Sequence, residues 1–268
     1  MFSPQIFTSI INSYLPEPQA SLLNGIIFGV NLKTTKIFYE QLKIVGLLHI
    51  VVLSGVNITL LAVIITKITE NLGKRLSILL STLTIIIFII FVGPQAPIIR
   101  AGFMGILTLV AILYGRKNLA LYSLFLSIFF IAVFWPKWLT TVSFQLSYGA
   151  TIGLILFNKK FYTKTDDKVI KFFIYLKNEL YTSIVAQIFT VPIIFIYFRQ
   201  VSLISPISNA LISWTIAPLM IFGFLTAFLG KINFWLGIIP AYICHGLLTY
   251  VVFIIETFSK IPGALLQF

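Results

Sequence analysis

Apolar runs of bilayer-spanning length follow one another through most of the chain, separated by connections too short to fold alone. Crossing a hydrocarbon core of about 30 Å takes about 20 apolar residues in a helix. In lipid every backbone N–H and C=O must find its partner within the protein, and a helix does this within each run. Eight runs approach that length, at residues 44–66, 75–92, 97–114, 119–135, 138–157, 180–198, 205–229 and 234–258. Charged residues make up 10% of the chain and hydrophobic ones 59%, with a mean hydropathy of +1.05; a soluble domain carries about 25% charged residues. The chain therefore reads as an all-α integral membrane protein with about eight transmembrane helices, several of them broken.

Residues 1–43 differ from the membrane domain at 44–268. In "LPEPQASLLNGIIFGVN" a Pro-Glu-Pro precedes an apolar stretch, Leu22 to Val30, that is too short to span. Ile26, Ile27 and Val30 can share one face, which predicts an N-terminal interfacial or re-entrant helix. Gly25 and Gly29 form a small GxxxG that permits close helix contact. The first residues lack a basic n-region and a long apolar core, so they do not read as a signal peptide. The long polar connection from Asn158 to Glu179 predicts a surface loop or an amphipathic helix and divides the spans into five and three.

Charge sets an expected orientation. The formal net charge is +12, and basic residues favour cytoplasmic loops. Alternating sides from the first span gathers Lys67, Lys74, Arg75, Arg116, Lys117, Lys159, Lys160, Lys164, Lys168, Lys171, Lys177 and Lys231 on one side, and leaves Lys137 and Arg199 in the interhelical loops of the other. The crowded side is expected to be cytoplasmic, which with eight spans puts both termini outside. Lys33, Lys36 and Lys43 then lie outside too, where they can meet lipid headgroups or an incoming anion.

The runs carry polar groups at depths where such groups are expensive. In "LLHIVVLSGVNITLL" the first span breaks at Ser54-Gly55; Ser54 and Asn57 share a helix face, and His49 lies on nearly the same one. Interhelical hydrogen bonding and a lined polar path both account for them. In "GPQAPIIRAGF" Pro94 and Pro97 rule out a continuous helix, and Arg100 enters the first turn of the third span on the side where positive charge is disfavoured. "SFQLSYGATIG" puts Gln145 and Ser147 in the fifth span; Gln187 stands before Pro192 in the sixth, and Asn209 between Pro206 and Pro218 in the seventh. Each alone suits helix–helix bonding, whereas polar groups in four spans beside broken helices suit a polar path.

Several chemistries lack their residues. The sequence has no GxxxxGK[ST] phosphate loop. The histidines, His49 and His245, lie on distant spans, and no acidic residue lies within the central spans, so neither a two-metal hydrolase site nor a carboxylate proton relay is expected. No Asp-backed histidine serves Ser54 as a nucleophile. Cys244, the single cysteine, reads as a packing residue. The chain is expected to be a transport protein with no catalytic residues, metal or cofactor.

In their order and spacing, "LPEPQASLLNGIIFG", "GLLHIVVLSGVNITLL", "GPQAPIIRAGFMG", "FQLSYGATIGL" and "QVSLISPISNALISWTIAPLM" make the chain resemble the membrane DNA-channel domain of ComEC-type competence proteins. A more familiar form of the second motif has histidine at position 57, and glycine often stands where this chain has Ser143. The resemblance implies an inner-membrane channel for single-stranded transforming DNA. It also implies a cytoplasmic ATPase or helicase motor, an extracellular DNA receptor and a separate nuclease, because the OB-like and metallo-β-lactamase-like domains usual in the family do not fit in this chain; the chain reads as a minimal member or an excised domain.

A phosphate polymer needs a wet path with donors, positive charge and stacking surfaces that hold it weakly. The path expected on this basis comprises His49, Ser54, Gly55, Asn57, Arg100, Gln145, Ser147, Gln187 and Asn209, with Lys33, Lys36 and Lys43 as an outer funnel and Tyr148, Tyr197 and Phe198 as stacking rings. The rival expectations are a small-solute or lipid-handling permease and a membrane scaffold.

Overall fold

The computed structural model describes residues 4–51, 55–116, 119–157, 161 and 167–267. It is almost entirely helical and divides into two compact units: residues 1–6 with 53–147, and residues 7–52 with 148–268.

The first unit is built on α5 (Gly55–Ile68), α6 (Lys74–Val92), α7 (Ala96–Leu113) and α8 (Ala120–Phe134), with the start of α9 (Val142–Leu156). The helices α5, α6 and α7 pack on one another, and α8 packs on α7. Between apolar helices in lipid there is no net hydrophobic drive, so close packing and hydrogen bonds must hold them together. Two hydroxyl pairs tie α5 to α6: Thr66 Oγ1 lies 2.9 Å from Ser81 Oγ, and Thr69 Oγ1 lies 2.8 Å from Ser77 Oγ. Gly93, at φ 100°, ends α6, and Pro97 sits in the first turn of α7, where its missing N–H costs no helical bond.

The second unit is centred on an antiparallel hairpin of α11 (Ser205–Ile232) and α12 (Phe234–Ser259), with α10 (Lys168–Phe198) packed on α11. Asn233 turns the hairpin, its Oδ1 accepting from Trp235 N at 2.9 Å. At the open end, β1 (Gln200–Ser202) pairs antiparallel with β2 (Leu265–Gln267). Gly149 and Gly153 of α9 let α10 approach: a Cβ at position 153 would collide with the Phe189 ring.

Three short helices complete this unit: α1 (Pro4–Tyr14), α2 (Gln19–Phe28) and α3 (Lys36–Val45), followed by α4 (Leu48–Val51). Tyr14 Oη donates to Phe234 O at 2.6 Å, and its ring stacks on Phe234 at the hairpin's turn. Leu23 and Ile27 of α2 pack on Gly223, partway along α11. The end of α3 meets the start of α11 through Ser202, Ser205 and Ser208. Residues 7–46 therefore run the length of the hairpin. The segment expected as an interfacial or re-entrant helix forms α2, which is buried from Ala20 to Phe28. Gly25 makes the close contact its motif predicts, with the Val51 carbonyl, whereas Gly29 is the left-handed C-cap of α2 at φ 64°.

Five helices among the described residues are long and apolar enough to cross a membrane: α6, α7, α11, α12 and Val169–Phe198 of α10. They match expected spans, with α10 starting twelve residues early, inside the basic connection. There Asp167 caps it by accepting from Val169 N at 2.8 Å. The spans expected at 119–135 and 138–157 are helices of 15 residues each, α8 and α9. The span expected at 44–66 is interrupted at Gly46, the left-handed end of α3. The break expected at Ser54 lies outside the described residues, and Gly55 opens α5. Residues 7–14 and 265–267 lie at opposite ends of the hairpin, and residues 7–46 connect those ends through short helices that no single apolar run announces.

Candidate functional site

In the first unit, Gly55, Arg100 and Ser147 come together from α5, α7 and α9. Arg100 is half-buried. Its Nη1 donates to Ser147 O at 3.1 Å. The other arm of the guanidinium lies against the first turn of α5, where a Cβ at position 55 would stand 2.7 Å from Nη2 and 3.2 Å from Ala101 Cβ. Glycine at 55 is thus what lets a charged side chain lie against this helix start. The one carboxylate of this unit, Glu70, follows the far end of α5, about 20 Å from Gly55 at the helical rise. Asn57, 2% exposed, is buried two residues beyond Gly55, and Gln145 is half-buried on α9.

The remaining expected path residues lie in the second unit, around the C-terminus of α3. Gly46 takes φ 75° there, with Leu47 N donating to Leu42 O at 3.0 Å and Gly46 N to Lys43 O at 3.1 Å. This is a Schellman ending, and it leaves the carbonyls of Ile44, Val45 and Gly46 without helical partners. Three serines of the "VSLISPIS" stretch supply them: Ser202 Oγ donates to Ile44 O at 2.7 Å, Ser208 Oγ to Val45 O at 3.0 Å and Ser205 Oγ to Gly46 O at 3.5 Å. Gln187 and Asn209 serve the same junction, Gln187 Nε2 donating to Ser202 O at 2.7 Å and Asn209 Nδ2 to Ser205 Oγ at 3.3 Å. Asn209 Oδ1 is buried without a hydrogen-bond partner among the described residues. His49 stands exposed on α4, three residues beyond Gly46.

Of the lysines expected as a funnel, Lys33 and Lys36 are exposed, and Lys43 pairs with Glu40 at 3.6 Å. Lys33 shares a cavity of about 500 Å³ with Glu17, Glu256, Thr34, Thr35 and Gln41. Of the rings expected to stack, Tyr148 is buried at 3% exposure, and Tyr197 and Phe198 are exposed at the end of α10. Among the described residues no three His, Cys, Asp or Glu side chains gather as metal ligands.

Sequence reading passed over one cluster. Phe103 of α7, Phe130 and Phe134 of α8, and Trp135 and Trp138 of the following turn form a continuous series of ring contacts. The signal was present in "FWPKW", Phe134 to Trp138, where a lysine sits among closely spaced aromatics.

No solved structure matches the chain. A curated relative, ComE operon protein 3 of Bacillus subtilis (strain 168), is 26% identical over 207 residues. The match covers 76% of this chain and 25% of the relative, so the chain spans about a quarter of that protein's length. The family model for Competence protein matches residues 26–268, taking in the α3 junction, the Arg100 contacts and the whole hairpin. With its multi-pass helical architecture, the chain is a member of the Competence protein family.

Proposed function

We propose that this chain is an inner-membrane conduit for single-stranded DNA taken up during competence, and that it acts in transport rather than catalysis. The observation that carries this reading is the placement of Arg100. A guanidinium inside an apolar bundle is expensive, yet here the α5 backbone is kept bare at Gly55 to admit it and Ser147 O orients it. A planar cation fixed in this way suits a passing phosphate better than a point charge does. Gln145 and Asn57, from the neighbouring turns, are neutral contacts that hold a strand without trapping it. The strand enters from the extracytoplasmic side past Lys33 and Lys36. It is drawn inward by a separate cytoplasmic ATPase, after delivery by a separate receptor and degradation of its partner strand by a separate nuclease.

The test is uptake of labelled transforming DNA in a competent host carrying the Arg100→Ala variant. A charged hydrogen bond contributes about 1.5–3 kcal/mol, so entry should fall at least about tenfold while the protein stays inserted at its normal level. Normal uptake by that variant would remove Arg100 from the path.

A small-solute or lipid-handling permease is the second reading, favoured by the cavity between Glu17, Lys33 and Glu256, which has the dimensions of a small-molecule site. Vesicles carrying the purified chain that pass small zwitterions, but pass single-stranded DNA no faster than empty vesicles, would favour it.

A further inference from the structure

We infer that the aromatic series ending at Trp138 is a stacking platform for unpaired nucleobases, set beside the Arg100 site. The inference rests on the DNA-conduit reading and names the residues that would hold the bases while Arg100 holds a phosphate.

The series begins one turn along α7 from Arg100. Phe103 stacks on Phe130, with ring centroids 4.9 Å apart and planes 30° apart. Phe130 meets Phe134 at 4.7 Å and Trp135 at 6.1 Å. Trp135 then stacks on Trp138, with centroids 4.9 Å apart and planes only 6° apart. Trp138 meets no further ring among the described residues, so the series ends on an indole. Pro136, which cannot donate a backbone bond, and the 3-10 turn at Pro136–Thr140 bring the two indoles into register three residues apart.

Three observations favour bases as the occupant. The near-parallel indole pair presents a flat ring face of the kind onto which a base extends a stack. The platform is accessible: Phe134 is 60% exposed and neither indole is buried. Lys137, exposed between the two indoles, supplies positive charge for the backbone that accompanies the bases. Sequence-tolerant binding of single strands pairs such rings with basic residues, because every base has a π-face. Tryptophan also gathers at membrane interfaces without any ligand, and the test must separate the two.

The full chain, with Trp214→Phe and Trp235→Phe so that Trp135 and Trp138 alone emit, is placed in lipid nanodiscs and titrated with two strands of equal length and charge. One is oligothymidylate and the other an abasic deoxyribose-phosphate strand. The expected result is quenching by oligothymidylate and none by the abasic strand. Trp138→Leu should weaken oligothymidylate binding about fivefold or more and leave abasic binding unchanged, while Trp138→Phe keeps most of the affinity. Equal quenching by both strands would reduce the site to electrostatics. Emission insensitive to either strand but quenched by brominated lipid would make it an interfacial anchor. Either result overturns the platform. The Arg100→Ala uptake defect, if it stands beside such a result, leaves the conduit reading intact; a base-specific response beside normal Arg100→Ala uptake leaves the platform and removes Arg100.

Discussion

Gly55 separates function from stability at the scale of one residue. Its absent Cβ leaves room for Arg100 Nη2, the tip of a long side chain, so Gly55→Ala should swing the guanidinium aside and press Ala101, whose Cβ would lie 3.2 Å away, back by a few tenths of an ångström. Alanine is the better helix former by up to about 1 kcal/mol in a helix interior, and part of that gain applies at the first residue of α5. The variant is therefore expected to unfold within about 1 kcal/mol of the parent and still to lose uptake as Arg100→Ala does. Thermal unfolding in detergent and transformation of a competent host measure the two effects separately. A Gly55→Ala protein that folds and transports normally would show that the position of the guanidinium does not matter. Asn57, by contrast, is buried beside an already packed turn, so its removal mixes packing with any contact to substrate and makes a poorer probe.

Among the elements, the end of α3 shows what a polar residue in a membrane bundle has to do. Position 46 needs a positive φ and almost no volume: a Cβ there would lie 2.6 Å from Ser205 Cβ. Gly46→Ala should cost about 1–3 kcal/mol for the left-handed conformation alone, and more if Ser205 cannot move. Ser208→Ala, which removes one donor, should cost about 1 kcal/mol; reversible unfolding in mixed micelles would rank the two. The long helices α6, α7, α11 and α12 were legible within a few residues because their apolar runs are continuous and closed by Gly, Pro or Asn. The roles of Gln187 and Asn209 were not. Sequence marks them as donors at depth, but their acceptors, Ser202 O and Ser205 Oγ, belong to serines whose own hydroxyls bond a helix end about 160 residues away. Trp135 and Trp138 were missed for the opposite reason: an interfacial tryptophan is so ordinary that only the 6° stack distinguishes this pair.

For the whole molecule, the count of crossings turns on residues 7–46. The α11–α12 hairpin is about 40 Å long at the helical rise, longer than the hydrocarbon core, so its two ends should face opposite sides of the membrane. Residues 7–14 rest on the turn that carries Lys231, whose ammonium lies 5.3 Å from the Phe7 ring centroid, and β2 rests on β1 at the other end. Counting continuous apolar runs overlooks this passage because it is made of three short helices, of which α2 is buried by protein and never has to be apolar enough for lipid. Basic loops favour the cytoplasm, which puts Lys231 and α1 inside and β2 outside. In a Cys244→Ala background, Ser13→Cys should resist a membrane-impermeant maleimide in intact cells and react in inverted vesicles, and Gln267→Cys should do the reverse. Both positions reacting from outside would restore an even number of crossings. The same passage brings Lys33 and Lys36 to the half of the hairpin that holds Glu256 and β2, which on the proposed conduit reading is the end where an incoming strand would first meet positive charge.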